Sequence, residues 1–383
     1  MTKMEIRIPA RPQPARSALT LHIDRIGSRY KAVLSGEGVL RWSKTELGVS
    51  QRDLEEFNSL LRAGLERVAD SIGSLADLER DPDGPLADLA RFGEVVFTNL
   101  FPERAAQDMI RSNLRRGGLI EIASEEFLLP WELLYTQVTR RPSISNFWGV
   151  RCIVARLPFM RPGDEFPDFA RPAPNRLVIA TERPQLGLIV SDSLESVLKL
   201  EIPSFVRLDQ KGSIQLSRLP ALRVTDRRTG LGDFSAFLGG ERDLLHLACH
   251  AEDATIAPES TLEISTDFPI RMVDLGNAGC RIGSGAFVML NACRTGTMNP
   301  ATVFNWASIF LHRGASGVLA TEFRVLDDFA ARFAERFYDY FLCGTPVGEA
   351  VLRTRRDFWS KECNPLGLGY SLYSSPDIRI QTT

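Results

Sequence analysis

The 383-residue chain lacks an excess of either charge: 46 Lys and Arg stand against 48 Asp and Glu, a formal net charge of −2. Proteins that grip nucleic acid or another polyanion carry a basic patch or stripe, so this balance argues against a direct nucleic-acid partner. No stretch of about 18 apolar residues occurs, which argues against a membrane-spanning helix. The opening MTKMEIRIPARPQPARSALTL has no uninterrupted apolar core of signal-peptide length. A cytoplasmic location with no membrane partner is the expectation. Cys152, Cys249, Cys280, Cys293, Cys343 and Cys363 are scattered without a CxxC, so neither a disulfide framework nor a zinc ribbon is indicated.

Several chemistries are missing as well. There is no GxxxxGK[ST] phosphate loop, no HExxH zinc helix and no convincing GxSxG serine-nucleophile turn. His250-Ala251-Glu252 matches the HxE of zinc nucleobase deaminases, but the PCxxC that completes that signature does not follow. No 34-residue helical repeat is apparent.

What is present begins with ALTLHIDRIGSRYKAVLSG, two alternating β-rich runs about Gly27-Ser28 that predict a hairpin. In SQRDLEEFNSLLRAGLERVADSI, Leu54, Phe57, Leu60, Leu61, Leu65 and Val68 recur at helical spacing, with Ser50 or Asp53 as the cap. DPDGP at 81–85 breaks the chain before a second helical stretch around 86–114. PWELL at 130–134 reads as a Pro-started helical turn that buries Trp131. Pro158, Pro162, Pro167, Pro172 and Pro174 then form a density that neither a helix interior nor a central strand tolerates. The expected organisation is an N-terminal α/β region over 1–157, a Pro-rich linker over 158–174 and a second domain over 175–383.

In that second domain the apolar runs NRLVIAT, DLLHLACH, GAFVMLNAC and SGVLATEF alternate with helical segments, the pattern of a largely parallel sheet covered on both faces. Function in such sheets collects at the carboxyl ends of strands. Phe329, Phe333, Phe337 and Phe341 make one helical stripe expected to pack on the sheet. In the next helix Val347, Ala350, Val351 and Thr354 are expected to face the core, with Arg353, Arg355 and Arg356 solvated. Cys249, inside an apolar run, reads as a small core residue.

DLLHLACH ends at His250, and FVMLNACRTG carries Cys293 into small polar residues. A thiol attacks a carbonyl well only as the thiolate, so it needs exposure and a proton acceptor nearby. If the two strands are parallel neighbours, about 4.8 Å apart, both side chains reach one crevice. His250 would then be general base and acid, and the backbone N–H groups of Ala251 and Cys293 the oxyanion donors. The separation of roughly 40 residues is close to the ~50 seen between His and Cys in caspases.

HLACHAED, VMLNACRTG and FLHRGASGVLATEFRVLDD together resemble the CHAT-domain cysteine peptidases, of the caspase and separase-like clan. The helices FYDYF and GEAVLRTRRDF and the closing LGLGYSLYSSPDIRI extend the resemblance over roughly residues 120–380. It implies a caspase-like α/β fold with a pseudo-caspase-like N-terminal region, peptide-bond hydrolysis through His250 and Cys293, a protein substrate, and neither a metal nor an organic cofactor. It also implies a basic P1 pocket, for which Asp327 is the matching carboxylate; Asp327 is equally readable as the cap of the Phe-striped helix. Several relatives act in bacterial defence or cell death and many carry an added helical-repeat or sensor domain; if activation depends on a partner, that partner is a separate activating or sensor chain or acts through the N-terminal region. The sequence departs from the family at Ala251 for the usual Gly, at Phe323 for Trp, and at Arg324, where separases carry Asp. The competing reading keeps the same fold as a non-catalytic interaction or sensor module.

Overall fold

A computed structural model describes residues 19–36, 43–71, 81, 83–115, 118–124, 129–136, 142–158, 178–192, 195–222, 227–252, 259–266, 268–277, 279–292, 306–323 and 326–382. The described residues open with β1 (Leu19–Ile26), β2 (Arg29–Gly36) and β3 (Ser43–Leu47). Helices α1 (Gln51–Asp70), α2 (Pro85–Leu100) and α3 (Arg104–Arg115) follow, then β4 (Leu119–Ser124), the short α4 (Trp148–Arg151) and β5 (Ile153–Pro158). The next segment holds β6 (Val178–Thr181), β7 (Gln185–Val190), α5 (Glu195–Gln210), β8 (Gln215–Arg218), α6 (Arg227–Gly239) and β9 (Leu244–Glu252). After it come β10 (Thr261–Glu263), β11 (Pro269–Arg271), α7 (Met272–Asn277), β12 (Phe287–Ala292), α8 (Trp306–His312) and β13 (Gly317–Thr321). The chain closes with α9 (Asp327–Phe341), α10 (Val347–Glu362), β14 (Tyr370–Ser374) and β15 (Arg379–Thr382).

The predicted hairpin forms, with Gly27 at φ +65° in the turn, a left-handed conformation that costs glycine nothing. Ser50 caps α1 through a capping box in which its side chain accepts from the Asp53 N–H and the Asp53 carboxylate accepts from the Ser50 N–H. The helical stretch after DPDGP divides into α2 and α3 at Phe101-Pro102, because a proline cannot continue the i to i−4 ladder.

Thirteen of the described strands join one sheet, in the order β11-β10-β9-β12-β13-β14-β5-β4-β1-β2-β3, with β7 also pairing β9 and β8 pairing β7. Strands β8, β7, β9, β12 and β13 run parallel to one another; β14 returns antiparallel to β13, and β5, β4 and β1 run parallel to β14. The sheet is therefore continuous from the first hairpin to the last third of the chain. One apolar layer contains residues of α1, α2, α3, α5, α9 and α10, and a second, on the other face of β9, β12 and β13, contains residues of α6, α7 and α8. In β1 only alternate residues are buried, Leu19, Leu21 and Ile23, so that end of the sheet is covered on one face.

The Phe stripe packs inward as expected: Phe329, Phe333, Phe337 and Phe341 are all buried, and Phe333 lies face to face on Tyr370 of β14 with ring centroids 3.7 Å apart. On α10 the expected core face is correct, but one of the three arginines is not solvated. Arg353 and Arg356 are exposed, whereas Arg355 is buried, donating to the carbonyls of Gly367, Gly149 and Tyr370 and to Glu132. Arg355 follows Val351 by four residues and so shares its face. Burial lowers its pKa, against the pull of Glu132.

PWELL forms the 3₁₀ turn Trp131–Leu133 that buries Trp131, and it also buries Glu132 completely. Gly93 of α2 lies against this turn so closely that a Cβ would sit 2.4 Å from the Leu133 carbonyl. Arg156 of β5 bonds Glu132 and Glu322, and its Nη1 also lies 2.9 Å from the Tyr373 hydroxyl, which donates to Glu322 at 2.9 Å. Burial alone would lower the Arg156 pKa, but Glu132 and Glu322 outweigh it and hold the guanidinium charged. Two arginines and two carboxylates thus neutralise each other inside the protein.

Removing one member of such a cluster strands the opposite charge, at a cost of about 3–5 kcal/mol. Arg156→Met is expected to lower the unfolding free energy by that amount in urea titrations. A loss under about 1 kcal/mol, the range of an exposed pair, would contradict a buried charge balance.

Candidate active site

The order β8-β7-β9-β12-β13 reverses direction between β7 and β9: from β7 the chain steps to β8 on one side, then returns to β9 on the other. Ligands in open parallel sheets bind beyond the carboxyl ends of the strands at such a reversal. β9 delivers His250 to this edge and β12 ends there.

β9 and β12 are hydrogen-bonded parallel neighbours, in a register running from Leu244 beside Phe287 to Cys249 beside Ala292. The next residues in the two segments are His250 and Cys293. His250 is half-buried in β9; Cys293 lies outside the described residues. Alternation along the strand puts His246, Ala248 and His250 on one face and Leu245, Leu247, Cys249 and Ala251 on the other. Cys249 is accordingly a buried member of the second apolar layer, as its apolar context predicts.

β9 continues past the histidine, where it pairs antiparallel with β10, Ala251 opposite Leu262 and His250 opposite Glu263. Ala251 therefore sits in extended backbone. Among the described residues Cys363 alone is non-glycine with positive φ, so replacing the family's Gly by Ala creates no conformational strain here. Beside this tip, Asp192, just past β7, accepts from Thr266, with 2.9 Å to its hydroxyl, and so links two loops of the same edge.

Asp327 is the first residue of α9, six residues beyond the end of β13 in sequence. The cap position belongs to Leu326, with no side-chain capping bond; Asp327 and Asp328 occupy the first turn, where the helix dipole favours negative charge. Asp328 pairs with Arg332 at 3.3 Å. Phe323 is buried, and Arg324 lies outside the described residues.

Beneath the strand ends lies a polar chain that the sequence reading did not single out. Glu201 of α5 bonds His246 of β9, Oε2 to Nε2 at 2.9 Å, and also accepts from the Asn291 side-chain amide of β12. Asn291 in turn accepts from the Tyr370 hydroxyl of β14 at 2.6 Å, and the Tyr338 hydroxyl of α9 is 3.4 Å from His246 Nδ1. His246 and Glu201 are fully buried. The available signal was a histidine and an asparagine inside the apolar runs LLHLAC and FVMLNAC, since a polar residue in a buried strand needs a partner.

No cluster of His, Cys, Asp and Glu able to hold a metal occurs among the described residues. No helix among them is long and apolar enough to cross a membrane.

A family model described as the CHAT domain matches residues 119–377. The chain belongs to the CHAT-domain family. The CHAT match runs from β4 through β14 and includes His250, Cys293 and Asp327. Over 95 residues the chain is 36% identical to a probable protease of Vitiosangium sp. (strain GDMCC 1.1324), covering 24% of this chain and 12% of that protein. The separase of the Saccharomyces cerevisiae separase–securin complex is similar over 96% of this chain and 30% of its own, with a TM-score of 0.50 and 12% identity, a likeness of fold. This CHAT protein thus spans a minor part of the length of either, and it shares with separase the caspase-like α/β architecture of a large, mostly parallel sheet flanked by helices.

The thiols of the described residues differ sharply in environment. Burial pushes the Cys152 thiol up to about 12, leaving a thiolate fraction of only ~10⁻⁴ at pH 8, whereas Cys343 is exposed. Iodoacetamide at pH 8 is therefore expected to label Cys343 in the native protein and leave Cys152 untouched, read by peptide mass spectrometry; native labelling of Cys152 at the Cys343 rate would contradict its burial.

Proposed function

We propose that this chain is a cysteine endopeptidase that cuts a protein substrate through His250 and Cys293. The observation that carries the reading is the β9–β12 register, which ends on the pair Cys249 and Ala292, each directly before a proposed catalytic residue. Membership of the CHAT family and similarity to a probable protease support it.

In the proposed reaction the Cys293 thiol gives its proton to His250, and the thiolate attacks the scissile carbonyl carbon. The negative charge moves to the carbonyl oxygen, which accepts hydrogen bonds from the backbone N–H groups of Ala251 and Cys293. As the C–N bond breaks, the His250 imidazolium protonates the leaving amine, and a thioester remains. Water, deprotonated by His250, then attacks the thioester; the product carboxylic acid leaves and the thiol is restored. No metal or organic cofactor enters any step.

Asp327, at the start of α9, is proposed to pair with an Arg or Lys side chain at P1. The protease would act in the cytoplasm, in bacterial defence or regulated cell death, and be switched on by a separate protein.

Cells expressing wild type, Cys293→Ala and His250→Ala are expected to differ in their cleaved protein N-termini, with a set of new termini present for wild type alone; identical profiles, with the trigger supplied, would sink the peptidase reading in favour of a non-catalytic CHAT module. For specificity, Asp327→Asn is expected to lower kcat/KM on an arginine-ended reporter peptide by roughly 10–100-fold, the worth of one charge-assisted hydrogen bond. Equal cleavage of arginine-ended and aspartate-ended reporters by the wild type would remove the basic pocket.

A further inference from the structure

We infer that Glu201, His246 and Asn291 form a positioning unit in which one buried carboxylate holds both catalytic strands, an inference that rests on the His250–Cys293 reading. Glu201 lies on α5, outside the sheet, and its two oxygens go to two different strands. Oε2 bonds His246, four residues before His250 on the same face of β9, and Oε1 accepts from Asn291, two residues before Cys293 in β12. The donors and acceptors agree along the whole chain. The Tyr338 hydroxyl can donate to His246 Nδ1, Nε2–H to Glu201, the Asn291 amide to Glu201, and the Tyr370 hydroxyl to Asn291.

A carboxylate this deeply buried is costly to place without partners, so its two strand bonds constrain each other. Slippage of β9 against β12, or rotation of the His246 or Asn291 side chain, would leave it half-paired. The side chains facing the chain are Glu201 and Phe205 of α5, His246 of β9, Tyr338 of α9, Asn291 of β12 and Tyr370 of β14. The carboxylate of Glu201 is the acidic group within it, and none of its members is exposed enough to reach substrate directly.

The sign of the effect on the nucleophile separates positioning from simple electrostatics. Removing a negative charge near a thiol should lower the thiol pKa, because the thiolate loses a repulsive neighbour. Losing the alignment of His250 with Cys293 should raise it toward the free value, because the imidazolium no longer stabilises the thiolate. Glu201→Gln produces both changes with almost no change of shape.

The test is the rate of Cys293 alkylation by iodoacetamide as a function of pH, followed by mass spectrometry in the full chain. Glu201→Gln is expected to raise the midpoint of the Cys293 profile by ~1 pH unit, against the sign that loss of a charge alone would give; Asn291→Asp, where added charge and lost alignment act in the same direction, should raise it as well. The exchange Glu201→Gln with Asn291→Asp restores a matched chain, the Gln amide donating to the new carboxylate and its oxygen accepting from His246. It should return the midpoint most of the way to wild type. Leu54→Ala, which opens a cavity under α1 away from the chain of hydrogen bonds, should leave it unmoved. An unchanged or lowered midpoint in Glu201→Gln, a double variant no better than the singles, or an equal shift in Leu54→Ala would overturn the inference and leave the dyad standing. If His250→Ala does not alter the wild-type profile, the dyad reading falls, and the positioning unit with it.

Discussion

The buried charge cluster about Arg156 is the constraint on which the rest of the architecture depends. It lies where the two parts of the sheet meet, at the parallel pairing of β14 with β5. Its members come from five places: Glu132 of the PWELL turn, Arg156 of β5, Glu322 after β13, Arg355 of α10 and Tyr373 of β14. Charges taken out of water are tolerable only when paired and fully hydrogen-bonded. These segments dock where the opposite charges meet, so β5 and the PWELL turn are tied to β14 and to the residue that follows β13. The Glu322 N–H also bonds the Gly369 carbonyl at 2.8 Å, so Glu322 is held to the same joint through its backbone as well.

The second polar chain, from Tyr338 through His246, Glu201 and Asn291 to Tyr370, works nearer the carboxyl edge. Tyr370 connects the two networks: its hydroxyl donates to Asn291 while its backbone carbonyl accepts from Arg355. Apolar packing on its own is non-directional and would permit small shifts between neighbouring strands. Hydrogen bonds whose loss leaves a buried group unsatisfied do not. The aromatic layer formed by Phe333, Phe337 and Phe341 excludes water from the same face, which strengthens those bonds.

Much of this was legible in the chain. The hairpin at Gly27, the cap at Ser50, the Phe stripe and the burial of Trp131 follow from turn chemistry and helical spacing, which act over a few residues. Apolar strands alternating with helices identified a mostly parallel sheet, and the runs that became β9 and β12 were readable as two of its strands. Arg355 was misread because an arginine beside two exposed ones looks solvated, and nothing local reveals that Glu132, more than 200 residues earlier, waits for it. Glu201 was missed for the same reason: a glutamate in an amphipathic segment carries no local mark of burial.

The sequence by itself determined the local elements, the strand ends and the residue types capable of thiol chemistry, because those depend on spacing along the chain and on intrinsic side-chain reactivity. Only the tertiary structure decided that β9 and β12 are adjacent, in which register, and which charges are buried together. Those outcomes depend on pairing between distant segments, where the cost of leaving a polar group unpartnered selects one arrangement among many that local patterning allows.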